Sequence, residues 1–208
     1  MSFFDTELYD FLVNEKNCEE KVVRSICELN RRHFLPENQQ NLIHTYKPIP
    51  IGYGQTMSAP FIVASMTDLL DVEPHQKILE IGSGCGFQTA VLMVLGAKVF
   101  SIEYVPELVD FGRLNLQKID LIPNIRFGDG YYGWQEEAPF DRIIIAATAP
   151  RVPEKLVQQL KVGGKMVFPL KKGDREFMVR LHKTSELDHS IEWLYGVIFV
   201  PFVGEIAT

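Results

Sequence analysis

The sequence predicts an α/β fold: a mostly parallel sheet layered between helices, with a C-terminal antiparallel hairpin and an N-terminal helical appendage. Three observations carry that expectation. Between residues 76 and 170, short apolar runs alternate with amphipathic helical segments, which is the pattern of βαβ units and hence of parallel strands. After residue 170 the alternation stops, and two strand-like runs, FMVRLHK and EWLYGVIFV, follow each other across the polar linker TSELDHS. Before residue 76, apolar residues recur at three-to-four spacing and then give way to a loop rich in Pro and Gly. With 208 residues and 46% hydrophobic content, the chain is long enough for one sizeable core. A single domain over 1–208 is expected, with subdivisions at 1–75, 76–170 and 171–208.

The elements follow in order. YDFLVN and EEKVVRSICELNRR read as helices, the second with Val22, Val23, Ile26 and Leu29 on one face. The loop Tyr46 to Thr56 leads into SAPFIVASMTDLL, where Ser58 reads as a helix cap, Pro60 fits the first turn, and Ile62, Val63, Met66 and Leu69 face the core. Then come strand KILEI, helix Gln88 to Leu95, strand KVFSIEY, helix Pro106 to Ile119, strands IRF and RIIIAA, helix Pro153 to Leu160 and strand KMVFPL. There is no internal repeat and no low-complexity segment.

Composition excludes several classes. The formal net charge is −6 and the pI about 5.4, with Lys and Arg dispersed, so there is no electrostatic footprint for a phosphate backbone. Nucleic acid is not expected as a partner. Cys18, Cys27 and Cys85 are an odd count without ligand spacing, and the five histidines are scattered, so neither a disulfide framework nor a metal site is expected. The first residues are polar and acidic, and no apolar run approaches about 18 residues, so a soluble, cytoplasmic protein without a membrane partner is expected.

The stretch LEIGSGCGFQ packs Gly82, Gly84 and Gly86 directly behind an apolar strand. Such a loop lets backbone approach a ligand and aims helix N-terminal N–H groups at it. It is not the dinucleotide fingerprint, because Phe87 stands where the third glycine belongs, and no Gly-Lys-Ser/Thr follows to make a phosphate loop. With Glu80 just ahead of it, the spacing resembles the class I S-adenosylmethionine-dependent methyltransferases. Glu103 lies at the end of the next strand, 21 residues after Gly82, where a carboxylate can accept hydrogen bonds from both ribose hydroxyls. In RFGDGYYGW, Asp129 and Gly130 are expected to face the adenine, although Asp-Gly alone reads as a turn. After RIIIAA the residues are AATAP and not an Asn/Asp-Pro-Pro-aromatic signature, which disfavours methylation of amide or base nitrogens. The small side chains Ala147, Thr148 and Ala149 leave room for an extended peptide main chain, or make a tight turn.

Taken together, PIPIGYGQTMSAP, ILEIGSGCGFQTA, GDGYYGW, APFDRIIIAATAPRVPEKLVQQLKVGGKMVFPL and VIFVPFVG resemble the protein-L-isoaspartate O-methyltransferase family, in its order and spacing, from about Phe34 to Gly204. The most specific piece is Gly-x-Gly-Gln-Thr-x-Ser-x-Pro. The resemblance implies a Rossmann-like class I methyltransferase sandwich. It also implies transfer of a methyl group from S-adenosyl-L-methionine to the free carboxylate of an isoaspartyl residue, with S-adenosyl-L-homocysteine as product. The ester then closes to a succinimide, whose hydrolysis returns part of it to aspartate. Isoaspartyl peptides and proteins are the implied partners, met by a monomer or at most a weak homo-oligomer.

By the same resemblance Ser58 is the active-site serine that orients the acceptor carboxylate. Gln55, Thr56 and Met57, the loop residues Glu80, Gly82, Ser83, Gly84, Gly86 and Gln88, then Glu103, Tyr104, Asp129 and Gly130, are implied to hold the cofactor. Ala147, Thr148 and Val203 are implied to meet the peptide, and Val200 to Val203 to close over both. A carboxylate of pKa about 4 needs no general base near neutrality. Positioning and exclusion of water would then carry the rate. The chain departs from many relatives at Tyr46 and Lys47, where an acid precedes the Pro-Leu-Pro-Ile-Gly run, at Phe61, and near GDREFMVRL, where a glutamine has no clear counterpart. These departures bear on peptide preference. Two other readings remain open: a methyltransferase of small molecules or nucleic acid, and a protein that binds cofactor or damaged peptide without turnover.

Overall fold

The computed structural model describes residues 3–207. Its centre is a seven-stranded sheet in the order β5-β4-β3-β6-β7-β8-β9. The strands are β3 (Lys77–Ile81), β4 (Lys98–Glu103), β5 (Asn124–Phe127), β6 (Phe140–Ile145), β7 (Leu160–Lys172), β8 (Arg175–Lys183) and β9 (His189–Val197). Strands β3 to β7 pair in parallel, while β7, β8 and β9 form the expected antiparallel edge. A separate two-stranded ribbon, β1 (Ile49–Gly52) with β2 (Gln55–Met57), precedes the sheet.

The helices are α1 (Thr6–Asp10), α2 (Glu20–Cys27), α3 (Pro60–Leu70), α4 (Phe87–Val94), α5 (Pro106–Gln117) and α6 (Glu154–Gln159). Pro60 and Pro106 open their helices in the first turn, where a missing N–H costs nothing. The central strands are buried on both faces, as parallel strands covered by helices must be. Leu79, Ile81, Phe100 and Ile102 pack with Phe140, Phe168 and Phe202 on one face. Ile78 and Val99 pack on the other face with Met66, Leu70 and Leu92. The N-terminal helices join α4 and α5 in a third cluster around Val22, Ile26, Phe34 and Phe87.

Several boundaries differ from the expectation, each for a local reason. The YDFLVN helix is a single α turn that widens into a π-helical segment, Phe11–Glu15. Strand β7 begins five residues before KMVFPL, since Gly163, at φ +82°, lets the chain bulge instead of ending the strand. Ser58 is not a cap: Ala59 occupies that position, and no side chain caps α3. The EWLYGVIFV run leaves the sheet at Val197, and residues from Ile198 onward turn back over the parallel strands. Among the described residues no helix is long and apolar enough to cross a membrane.

Candidate active site

Strand order reverses at β3: β4 and β5 lie on one side of it, β6 and β7 on the other. The crevice beyond the C-terminal ends of strands at such a switch point is where open α/β sheets bind ligands. A cavity of about 390 Å³ lies there, lined by Glu80 to Cys85 at the end of β3 and in the loop after it, Ile102 to Val105 at the end of β4 and beyond, and Ala146 and Ala147 after β6. The β2 segment and α3 supply Gln55, Thr56, Met57 and Ser58 to one wall, and Ile198 to Val203 cover it. Among the described residues no lysine, arginine or histidine lines it.

The glycine loop takes backbone conformations that other residues seldom adopt: Gly82, Gly84 and Gly86 all have φ between +51° and +87°. Gly82 and Gly84 line the cavity, whereas Gly86 starts α4 and packs against the Gly112 carbonyl and Leu116. It lies off the cavity wall, where it lets α4 and α5 approach closely. Gln88 lines the wall while its amide donates to Thr67 Oγ1 at 3.0 Å.

Glu103, buried at the end of β4, accepts hydrogen bonds from the Gly84 N–H at 2.8 Å and the Val105 N–H at 2.9 Å, one on each oxygen. Its carboxylate thus holds the glycine loop in place and retains a lone pair on each oxygen for a diol. Tyr104 stands half-exposed at the rim. Glu80 is fully buried beneath the loop: Thr89 Oγ1 donates to its Oε2 at 2.5 Å, and Ser101 Oγ donates to the same oxygen. Burial pushes this carboxyl up to about 7, against the two hydroxyl donors, and the Glu103 charge adds to the rise. Glu80 Oε1 and Ser83 Oγ are both buried without a hydrogen-bond partner, although both residues line the cavity. Buried polar atoms are seldom left unpaired, and two at one wall mark a place built to receive polar groups of a ligand.

Two of the expected site residues make contacts within the protein. Asp129 does not line the cavity. Its Oδ1 accepts from the Tyr131 N–H at 2.9 Å, capping a 3₁₀ turn, and its Oδ2 accepts from the Glu205 N–H at 2.8 Å, so it anchors the tail. Gly130 does line the cavity, and a Cβ there would overlap the Ile81 side chain. Thr148 does not leave a free edge for a peptide. Its N–H donates to the Val200 carbonyl at 2.8 Å, and its carbonyl accepts from the Phe202 N–H at 2.9 Å, so the protein's own tail pairs there. Ala147 and Val203 stay on the cavity wall.

Glu176 was not singled out in the sequence, yet its Oε2 accepts from Thr148 Oγ1 at 2.7 Å and from the Phe199 N–H at 2.9 Å, pinning the tail where it enters the roof. Val63 and Met66, read only as core, also form cavity wall. The departures Tyr46, Lys47 and Phe61 lie off the wall; Tyr46 stacks on Phe11 with ring centroids 4.4 Å apart.

Residues 5–207 match the family described as Protein-L-isoaspartate(D-aspartate) O-methyltransferase (PCMT). The chain belongs to that family. Among its relatives, the protein-L-isoaspartate O-methyltransferase of Methanothrix thermoacetophila is 41% identical over 194 residues, covering 89% of each chain. That of Dictyoglomus thermophilum is 39% identical over 201 residues, covering 96% of this chain and 90% of its own. In fold, the chain resembles a protein-L-isoaspartate O-methyltransferase structure from Plasmodium falciparum in complex with S-adenosyl-L-homocysteine. The TM-score is 0.83 at 24% identity, over 96% of this chain and 98% of that one.

Proposed function

We propose that this protein is a protein-L-isoaspartate O-methyltransferase, which methylates the free carboxylate of isoaspartyl residues and so begins their return to aspartate. The observation that carries the reading is that Ser58, from the segment most specific to the family, shares one cavity with the glycine loop and the buried Glu103 carboxylate. S-adenosyl-L-methionine supplies, when bound, an electrophilic methyl group. Unpartnered Glu80 Oε1 and Ser83 Oγ fit a ligand that brings polar groups, and a wall without cations fits one that carries no phosphate.

In this reading Glu103 receives the ribose hydroxyls, Gly82 and Gly84, lacking side chains, let the ligand lie close against the backbone, and Gly130 keeps the wall clear. Gln55, Thr56 and Met57 flank the cofactor, as do Ser83, Gln88 and Tyr104. Asp129 acts on the adenine end indirectly, by fixing the turn that carries Gly130. Ser58 hydrogen-bonds the acceptor carboxylate and sets its line of attack. That carboxylate is ionised near pH 7, so no side chain need remove a proton, and the reaction rests on alignment and exclusion of water. Residues 198–203 provide the exclusion, and the peptide enters between them and the β1–β2 ribbon, with Ala147 and Val203 at the mouth. The same reading has the enzyme work in the cytoplasm, as a monomer or at most a weak homo-oligomer.

Two synthetic peptides test this, identical except for L-isoaspartate in place of L-aspartate, each incubated with methyl-labelled S-adenosyl-L-methionine. Label released as methanol in mild base, from the isoaspartyl peptide alone, is the expected result. Labelling of neither peptide, with the cofactor still bound, would overturn the assigned acceptor.

A further inference from the structure

We propose that Glu80, buried against the cavity with one carboxyl oxygen unpartnered, is a proton-linked charge sensor for the cofactor: it shares a proton with solvent in the free protein and gives it up when a ligand bearing an extra positive charge enters. The inference rests on the cofactor reading above and deepens it. It assigns Glu80 the task of favouring the sulfonium substrate over the uncharged thioether product.

The geometry supports this in three ways. Glu80 has no exposed surface, lines the cavity, and leaves Oε1 without a partner. Both hydrogen bonds it accepts fall on Oε2, from Thr89 and Ser101, so one oxygen is free to hold the proton. Its charged and titratable surroundings contain no compensating cation. From β4 comes Glu103, of like charge; from the loop comes Cys85, whose thiol burial pushes up to about 12 and keeps neutral. The neighbour on β6 is Ile144, α4 adds Thr89, and α3 adds the apolar Val63 and Met66. Among the described residues neither Glu80 nor Glu103 is ion-paired. Two carboxylates at a cavity whose wall is mostly apolar and carries no cation cannot both be ionised cheaply; one proton is the natural relief. A bound cation supplies what the protein omits, and the proton then leaves.

The sign follows from linkage. Ionised Glu80 attracts the sulfonium and gains nothing from a neutral thioether, so preference for S-adenosyl-L-methionine over S-adenosyl-L-homocysteine should rise with pH. If the extra charge lowers the Glu80 pKa by one unit on binding, from about 7, the affinity ratio of the two ligands rises about fivefold from pH 6 to pH 8. Under the same assumption, roughly 0.4 more protons are released at pH 7 with the sulfonium ligand than with the thioether.

Calorimetry of both ligands at pH 7, in buffers of low and high ionisation enthalpy, reads the proton count directly. The expected result is greater release with S-adenosyl-L-methionine in the wild type and loss of that difference attributable to Glu80 in Glu80→Gln. The variant keeps the ligands' own titrations and so subtracts them. A second measurement uses the wild type alone: with 13C-labelled glutamate carboxyls, one resonance should titrate near neutrality, well above the exposed glutamates, and move to lower pH on adding S-adenosyl-L-methionine but not S-adenosyl-L-homocysteine. A proton count equal in wild type and Glu80→Gln, or no glutamate titrating above pH 6 in the free protein, would overturn the proposal while leaving the enzyme assignment standing. Failure of either ligand to bind would instead overturn the cofactor reading.

Discussion

Replacing Glu176 by alanine should loosen the C-terminal strap over the cavity while leaving the sheet folded. The carboxylate accepts from Thr148 Oγ1 at 2.7 Å and from the Phe199 N–H at 2.9 Å, so one side chain ties the strap to the β6 loop where the strap leaves the sheet. Hydrogen bonds to a charged group contribute about 1.5–3 kcal/mol each. Glu176 is only partly buried and water can replace it at both donors, so about 2 kcal/mol in all is a fair expectation. That corresponds to roughly a thirtyfold larger population of the open strap. The strap keeps its other ties, from Thr148 to Val200 and Phe202 and from Asp129 to Glu205, so opening should be frequent but brief. Hydrogen exchange followed residue by residue is the assay. The Phe202 and Thr148 amides should exchange roughly thirtyfold faster, while amides in the β7–β8 register such as Leu181 should not change. Cofactor release should accelerate in parallel. Unchanged protection at Phe202, or an equal loss at Leu181, would refute the assignment of Glu176 as a local tie.

Three further outcomes are expected. Ser58→Ala should lower turnover by roughly 10- to 100-fold with little change in cofactor affinity, since it removes alignment of the acceptor alone; steady-state kinetics beside calorimetry separates the two. Glu103→Ala should weaken cofactor binding at least about tenfold, because it frees the Gly84 N–H as well as the proposed ribose contact, and unchanged affinity by calorimetry would refute that contact. Asp68 has Oδ1 buried without a partner, and burial pushes its carboxyl up to about 6. Its folded pKa lies above the unfolded value, so its favourable contribution is complete below pH 4 and is lost as pH rises through about 6. Asp68→Asn should therefore raise the melting temperature at pH 8, by about 1 kcal/mol of stability after discounting for partial exposure, and have little effect at pH 4.

The parallel core was legible in the sequence because burial on both faces forces short continuous apolar strands, and these alternate with longer helical segments in the order of βαβ units. The cavity was legible for a related reason: three glycines at positive φ and a strand-end carboxylate belong to one local turn and its neighbour. What the sequence hid depends on contacts between distant segments. Thr148 and Val200 are 52 residues apart, and nothing in AATAP says that the chain's own tail will fill the edge that small side chains leave open. Asp129 illustrates the conflict between local and global evidence. Asp-Gly by itself reads as a turn, and that local reading is the one realised, with Oδ1 on Tyr131; only the arrival of Glu205 gives the second oxygen its task. The motif therefore marks the right place with a different division of labour. Gly130 stands at the cavity because Asp129 stands behind it, and the same carboxylate that shapes the turn also holds the roof down. A single substitution at Asp129 should then disturb floor and roof together, whereas one at Glu176 disturbs the roof alone. The two halves of the cavity are separable only from the Glu176 side.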